Sequence, residues 1–500
     1  MDQLKNKTLQ GLVYLGFGRG LGRLISFVNT LLLARLLSPH DYGLMSIVMV
    51  VVGFIGFFNE IGLGSAIKQR IDITQEQLNG AFALALMISI PLYLGLFAAS
   101  PLISAFYDQD ITAVLRFIAL TFIIGAVATV PDALMARDMR FKIYGGIDFV
   151  MIVIQCVVTL VMAWLGYQVW ALAWGFVVAQ VFKTSCIFYF SNWRPTRLGN
   201  LGAATDLMKF GATVTYSRLT WYFYNNAKTL IIGKVLNPQL LGVYSMASTL
   251  ATLPSTHITS MVIQIASPLF SKLQLDLPRL DNAMRRLTSG IALIAFPVMA
   301  GMALTATELV PVLLGPNWIE AVFPLQILCV LGLFKSVDPL ITQAFISIGK
   351  ANVTARYTTL CAVVIPLSVY VGAITGGLVG VAIGMAISYP LSSIYLFRSA
   401  QVHLDFSMKR YLRALQTPVE GCIWMAAIVL GYHYLSLQAG FDLPLWLLIS
   451  KTVVGGLSYL LFLVYIRRSG LNDCYEVLRE LGVSAKKLDR WPFNRARLSA

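Results

Sequence analysis

The chain is poor in charge: Asp, Glu, Lys and Arg make up only 12% of 500 residues, against 57% apolar types. An ordinary soluble domain is about one-quarter charged, so water alone is excluded as the solvent for most of this chain. Cysteine is sparse and scattered. Cys156, Cys186, Cys329, Cys361, Cys422 and Cys474 form no C-x-x-C pair, which removes the usual thiolate metal and redox patterns and leaves them as small hydrophobes. No P-loop occurs, so ATP does not drive the chain directly. Gly16, Gly18, Gly20 and Gly22 alternate around Leu21 without completing G-x-G-x-x-G, and they read as sites of close helix packing, as do Gly380 and Gly384. Acidic residues are also few, 23 against 38 Lys plus Arg, for a formal charge of +15. The basic residues sit in short clusters between apolar stretches, a pattern that excludes a nucleic-acid-binding stripe and marks membrane loops.

What the chain has in abundance is apolar stretches of about 20 residues, the length that crosses a bilayer as a helix. They recur from residue 10 to residue 466 and predict an all-α integral membrane protein of about fourteen transmembrane helices. The spans include 10–37, 41–66, 207–235, 240–264, 287–310, 320–346, 353–374 and 377–397, with turns punctuated at Ser38-Pro39, Asn237-Pro238, Gly315-Pro316 and Gly376-Gly377. The first stretch carries Arg19, Arg23 and Arg35, so it is expected to stay as a helix and not to be cleaved as a signal. Alternate loops hold most of the Lys and Arg, from Lys5 and Lys7 through Arg137, Arg140 and Lys142 to a basic tail beginning at Arg467. The positive-inside rule then places both termini in the cytoplasm, and an even number of spans agrees. The opposite loops are short and leave no room for an enzyme's active site, so the chain reads as a non-enzyme.

The chain also repeats itself. TLLLARLLSPHDYGLMS from Thr30 and TLIIGKVLNPQLLGVYS from Thr229 share Thr, Leu, Pro, Gly and Ser at one offset, with Arg35 set against Lys234. Helices 1–6 and 7–12 are therefore expected to form two pseudo-symmetric six-helix lobes, residues 1–200 and 201–400. Two extra helices follow over 401–466, and a basic cytoplasmic tail occupies 467–500. Both copies start on the same side of the membrane, which makes them parallel repeats about an axis along the membrane normal.

Several segments carry a family resemblance over nearly the whole chain: Ala34-Arg35-Leu36-Leu37-Ser38-Pro39 to Tyr42-Gly43, Glu60 to Arg70, Arg137 to Phe141, and Gly315-Pro316-Asn317-Trp318 followed by Pro324. The chain resembles the polysaccharide exporters of the multidrug/oligosaccharidyl-lipid/polysaccharide flippase superfamily, near the colanic acid exporter branch. The resemblance implies a bacterial inner-membrane secondary transporter that flips undecaprenyl-pyrophosphate-linked oligosaccharide units by alternating access of two lobes. It implies no cofactor beyond a coupling proton or sodium ion, and as candidate partners a polysaccharide polymerase and glycosyltransferases. Rival readings are a multidrug or cation antiporter of the same fold, whose cavity should be acidic, and a membrane polymerase or glycosyltransferase.

Charges inside the spans cost about 2.5–3.5 kcal/mol each on insertion scales and need a cavity or a partner. Arg19 and Arg23 share a face of helix 1, and the repeat offset carries Arg19 onto Arg218 in helix 7. These guanidiniums would suit a pyrophosphate by forked hydrogen bonding; the alternative is that Arg19 and Arg23 snorkel to the cytoplasmic surface. In helix 7, Arg218, Tyr222, Asn225 and Thr229 form a polar stripe with Trp221 and Lys228 beside it, suited either to sugar hydroxyls or to joining helices. The substrate-binding candidates are thus Arg19, Arg23, Arg218, Trp221, Tyr222, Asn225 and Lys228. Lys335 and Asp338, one turn apart, and Glu60 are candidates for ion coupling, with a charge pair that simply tolerates the membrane as the alternative for Lys335 and Asp338.

Overall fold

The computed structural model describes residues 20–60, 63–69, 72–196, 222–223, 225–440 and 443–467. No strand occurs among them. The helices are α1 (20–36), α2 (Pro39–Glu60), α3 (Leu63–Gln69), α4 (Gln75–Tyr107), α5 (Thr112–Arg137), α6 (Phe141–Trp164), α7 (Val169–Phe190) and α8 (225–235). They continue as α9 (Pro238–Lys272), α10 (Leu277–Leu304), α11 (Ala306–Leu313), α12 (Val322–Ser347), α13 (Ala351–His403), α14 (Met408–Gln438) and α15 (Pro444–Leu461). Ten candidate spans, long and apolar enough to cross a membrane, lie among the described residues. One of them, α13, is bent at Gly376 and Gly377, where Gly377 takes φ 59°, a conformation that favours glycine. Split at that bend and taken with α1, α8 and α9, these helices match the fourteen expected spans one for one. Two expected spans are each divided: 41–66 into α2 and α3, and 287–310 into α10 and α11, where Thr305 leaves helical geometry.

Packing divides the chain into two compact units between Val243 and Tyr244. In the first, α3, α4 and α5 enclose Leu63, Ile67, Ala81, Ala85, Ala126 and Ala133. The four alanines let apolar helices approach closely where lipid supplies no hydrophobic drive for association. Leu33 of α1 and Leu37 just after it pack with Ala163 of α6 and Ala171 of α7. In the second unit, Leu293 of α10 packs with Met425 and Val429 of α14 and with Tyr459 of α15, and the Tyr459 hydroxyl donates to the Leu293 carbonyl at 3.1 Å.

The repeated turn has the same local chemistry in both copies. Ser38 caps α2: its Oγ receives the Asp41 N–H at 3.3 Å, while its own N–H donates to Asp41 Oδ2 at 2.9 Å. Asn237 caps α9 by accepting the Leu240 N–H at 2.8 Å. Proline follows each cap, at a position where its missing N–H costs nothing. Within the first unit the two turns then meet backbone to backbone. A Cβ on Gly43 would lie 1.7 Å from the Pro238 carbonyl oxygen, and one on Gly242 would lie 1.8 Å from that of Pro39. The contact is reciprocal, each copy's glycine seated on the other copy's proline.

Candidate functional site

Tyr222 lies just ahead of α8, and its hydroxyl donates to the Val50 carbonyl of α2 at 2.7 Å. Its ring sits edge-on to Phe57, with centroids 4.9 Å apart. Gly53 makes room for it, because a Cβ there would come 2.4 Å from the Tyr222 oxygen. Tyr222 is therefore seated on α2. Asn225 and Lys228 follow on α8, both half-buried. Lys228 has no ion-pair partner among the described residues. At about 1.5 Å per residue it lies about 9 Å along the helix from Lys234, which pairs with Asp108 at 3.0 Å near the end of α8.

Arg23 is exposed on α1, while its neighbour Gly22 packs on Ile152 of α6. Arg19, Arg218 and Trp221 lie outside the described residues. Glu60 closes α2. On α12, Asp338 is buried and accepts the Ser393 hydroxyl at 2.7 Å, while Lys335 lies over the Tyr389 ring at 5.5 Å.

Tertiary contacts account for several intramembrane charges that look isolated along the chain. Lys183 of α7 pairs with Asp148 of α6 at 2.9 Å. Asp132 of α5 accepts the Tyr144 hydroxyl at 2.9 Å and lies 3.7 Å from Lys68. Lys451 of α15 meets Glu308 of α11 at 2.7 Å, with both side chains under one-tenth exposed. Glu420 takes a two-pronged contact from Arg467, at 2.9 and 3.0 Å. Sequence reasoning passed over Asp148 as a partner and left Glu308 as an acid near the outer end of the 287–310 span. The available signal was that each is a carboxylate inside or beside an apolar run, where burial demands a counter-charge.

One feature had no sequence signal at all. Between α14 and α15 an open cavity of about 540 Å³ is lined by Trp424, Ile428, Leu457, Leu461, Phe462 and Tyr465. Its lining is apolar apart from Ser458, whose hydroxyl is already committed to the Gly455 carbonyl. The groove runs from Val454 to Ile466, about 18 Å of helix, and Arg467 with its Glu420 partner follows directly along the chain.

Comparisons with known proteins agree with this architecture. The profile of a family described as polysaccharide biosynthesis protein matches residues 32–323. The lipopolysaccharide biosynthesis protein WzxC of Escherichia coli strain K12 is 23% identical over 423 residues, covering 83% of this chain and 85% of the relative. The succinoglycan biosynthesis transport protein ExoT of Rhizobium meliloti strain 1021 is 24% identical over 467 residues, 91% of this chain and 92% of the relative. The solved structure of the lipid II flippase MurJ, in an inward closed conformation, superposes with a TM-score of 0.73 at 14% identity, covering 91% of this chain and 99% of MurJ. A profile match over more than half the chain, on a multi-pass helical fold shared with MurJ, makes this protein a member of the polysaccharide biosynthesis protein family.

Proposed function

We propose that this protein is a transporter, not an enzyme, and that it flips an undecaprenyl-pyrophosphate-linked oligosaccharide from the cytoplasmic to the outer leaflet of a bacterial inner membrane. The observation that carries the reading is Lys228, an ammonium in a spanning helix with no ion-pair partner among the described residues. A cation left in that position is stabilised by an anion supplied from outside the protein, and a pyrophosphate meets the need. Asn225, three residues earlier on the same helix, can hydrogen-bond sugar hydroxyls. The same reading assigns the apolar groove of α14 and α15 to the isoprenoid tail, whose only favourable surroundings are hydrocarbon. The relatives WzxC, a lipopolysaccharide biosynthesis protein, and ExoT, a succinoglycan biosynthesis transport protein, support a polysaccharide precursor as cargo. Both termini face the cytoplasm in this reading, and movement of the two repeats exposes the site to each leaflet in turn.

The test is transbilayer movement of a labelled undecaprenyl-pyrophosphate oligosaccharide in proteoliposomes. The intact protein is expected to move it. Lys228→Ala should slow movement at least tenfold, the loss of about 1.4 kcal/mol or more from a charge-assisted contact, and Lys228→Arg should retain most of it. Normal movement by a folded Lys228→Ala protein would show that the pyrophosphate is held elsewhere. No movement by the intact protein would sink the flippase reading.

A further inference from the structure

A second cavity, of about 430 Å³, lies within the first unit and shares no residue with α8 or with the groove of α14 and α15. Its walls come from the start of α4 (Gln75), the end of α5 (Met135 and Asp138), Arg140 ahead of α6, and the turn after α7 (Asn192 and Arg194). Each of these places is an end of a spanning helix, so the cavity lies at the depth of the lipid headgroups. Tyr189, exposed at the end of α7, is an aromatic of the kind that favours the membrane–water boundary. The volume falls within the about 300–1,000 Å³ of small-molecule sites.

The two arginines of this cavity are used differently. Arg194 turns its fork on the protein: Nη1 donates to the carbonyls of Phe188, Ser191 and Trp193 at 2.8, 2.7 and 2.8 Å, and Nη2 donates to that of Tyr189 at 3.3 Å. Its charge thus answers the partial negative charge at the end of α7. Arg140 gives only Nη1 to the protein, to the Phe190 carbonyl at 3.1 Å. Its Nε stands 4.0 Å from Asp138 Oδ2, too far for a hydrogen bond. Among the described residues, the edge formed by Nε and Nη2 therefore keeps its donors, and Asp138, more than half exposed, keeps its acceptors.

A fixed cation and a fixed anion side by side select a ligand that carries both charges. A simple phosphate would be repelled by Asp138, and a headgroup with only hydroxyls beyond its phosphate would leave that carboxylate without a cation. We propose that this cavity binds the headgroup of a zwitterionic phospholipid with a primary amine. Two phosphate oxygens accept from Nε and Nη2 of Arg140 in a forked contact, the Asn192 amide donates beside them, and the ammonium donates to Asp138. A quaternary ammonium carries the same charge but has no N–H to donate, so phosphatidylethanolamine is preferred to phosphatidylcholine. Leu134 and Met135 offer an apolar wall to the first part of the acyl chains. The site does not depend on which lipid the protein moves, and its test reads binding without transport.

Native mass spectrometry of the full-length protein, stripped of lipid in detergent, resolves binding one molecule at a time. The probes are phosphatidylethanolamine, phosphatidylcholine and phosphatidylglycerol with identical acyl chains, and glycerophosphoethanolamine, the same headgroup without chains. The intact protein is expected to hold its first phosphatidylethanolamine about threefold to fivefold more tightly than either other lipid, the scale of one exposed ionic contact, and to hold glycerophosphoethanolamine far more weakly. Asp138→Asn, an exposed change of equal shape, should erase the preference over phosphatidylcholine while leaving affinity for phosphatidylcholine itself unchanged. Arg140→Gln should weaken binding of phosphatidylethanolamine about tenfold. Equal affinities for the three lipids in the intact protein overturn the proposal, as does a preference for phosphatidylethanolamine that survives both variants. Glycerophosphoethanolamine bound as tightly as the whole lipid overturns it too, since a soluble phosphate ester, and not the membrane, would then supply the ligand.

Discussion

Alanine at Gly43 or at Gly242 is expected to destabilise the protein severely, at or beyond the top of the about 1–3 kcal/mol range for overpacking. The added Cβ would stand 1.7 Å from one proline carbonyl oxygen or 1.8 Å from the other. Real Cβ contacts are never so short, so the first turns of α2 and α9 would have to separate by more than an ångström. Neither turn can yield alone. Each is pinned by its cap, Ser38 with Asp41 on one side and Asn237 with Leu240 on the other, and α8 leads into the second turn with Lys234 tied to Asp108. Because the two glycines form one reciprocal contact, the double variant should cost less than the two single losses added together. Gly95→Ala is the control, since a Cβ there meets nothing within 4 Å and alanine is the better helix former. Thermal unfolding in detergent reads all four variants. Wild-type unfolding temperatures for both Gly43→Ala and Gly242→Ala would mean that the turns do not pack in this way.

Breaking the pair of Lys451 and Glu308 from either side should cost about 3–5 kcal/mol, because each substitution strands the other charge in a dry interior. The 2.7 Å contact and exposures of 3% and 8% leave little water to screen it. Lys451→Met with Glu308→Leu together should recover most of the loss, since an apolar pair of similar volume removes the desolvation cost of both ions. By contrast, Lys234→Ala should cost less than about 1 kcal/mol, because its pair with Asp108 is largely exposed. Yields and unfolding temperatures of the two single variants and the double variant would decide the matter. If all three match wild type, the pair does not anchor α15 to α11.

Legibility differed by kind of feature. The spanning helices, the alternation of basic loops and the turn shared by Ser38-Pro39 and Asn237-Pro238 could be read directly from the chain. Lipid forces each crossing segment to satisfy its own backbone, so every span must be a helix of apolar residues about as long as the bilayer is thick. A break such as Thr305 between α10 and α11 escaped notice because no proline or glycine marks it and apolar residues continue on both sides. The candidate site was legible only as a set of residues that ought not to be in a membrane without a reason. Lys183, Asp132 and Lys451 stand out as ionisable residues in apolar runs, but nothing along the chain names Asp148, Tyr144 and Glu308 as the groups that meet them.

By itself, then, the sequence determined the all-helical membrane class, the fourteen crossings, the repeat and the list of costly polar residues, because these follow from local apolarity and spacing. Tertiary structure alone decided which charges are neutralised within the protein, where Gly43 and Gly242 touch, and where α14 and α15 leave an apolar groove. The physical reason is distance along the chain. Lys451 and Glu308 stand 143 residues apart, and no pattern confined to one helix says which face of another will come to meet it.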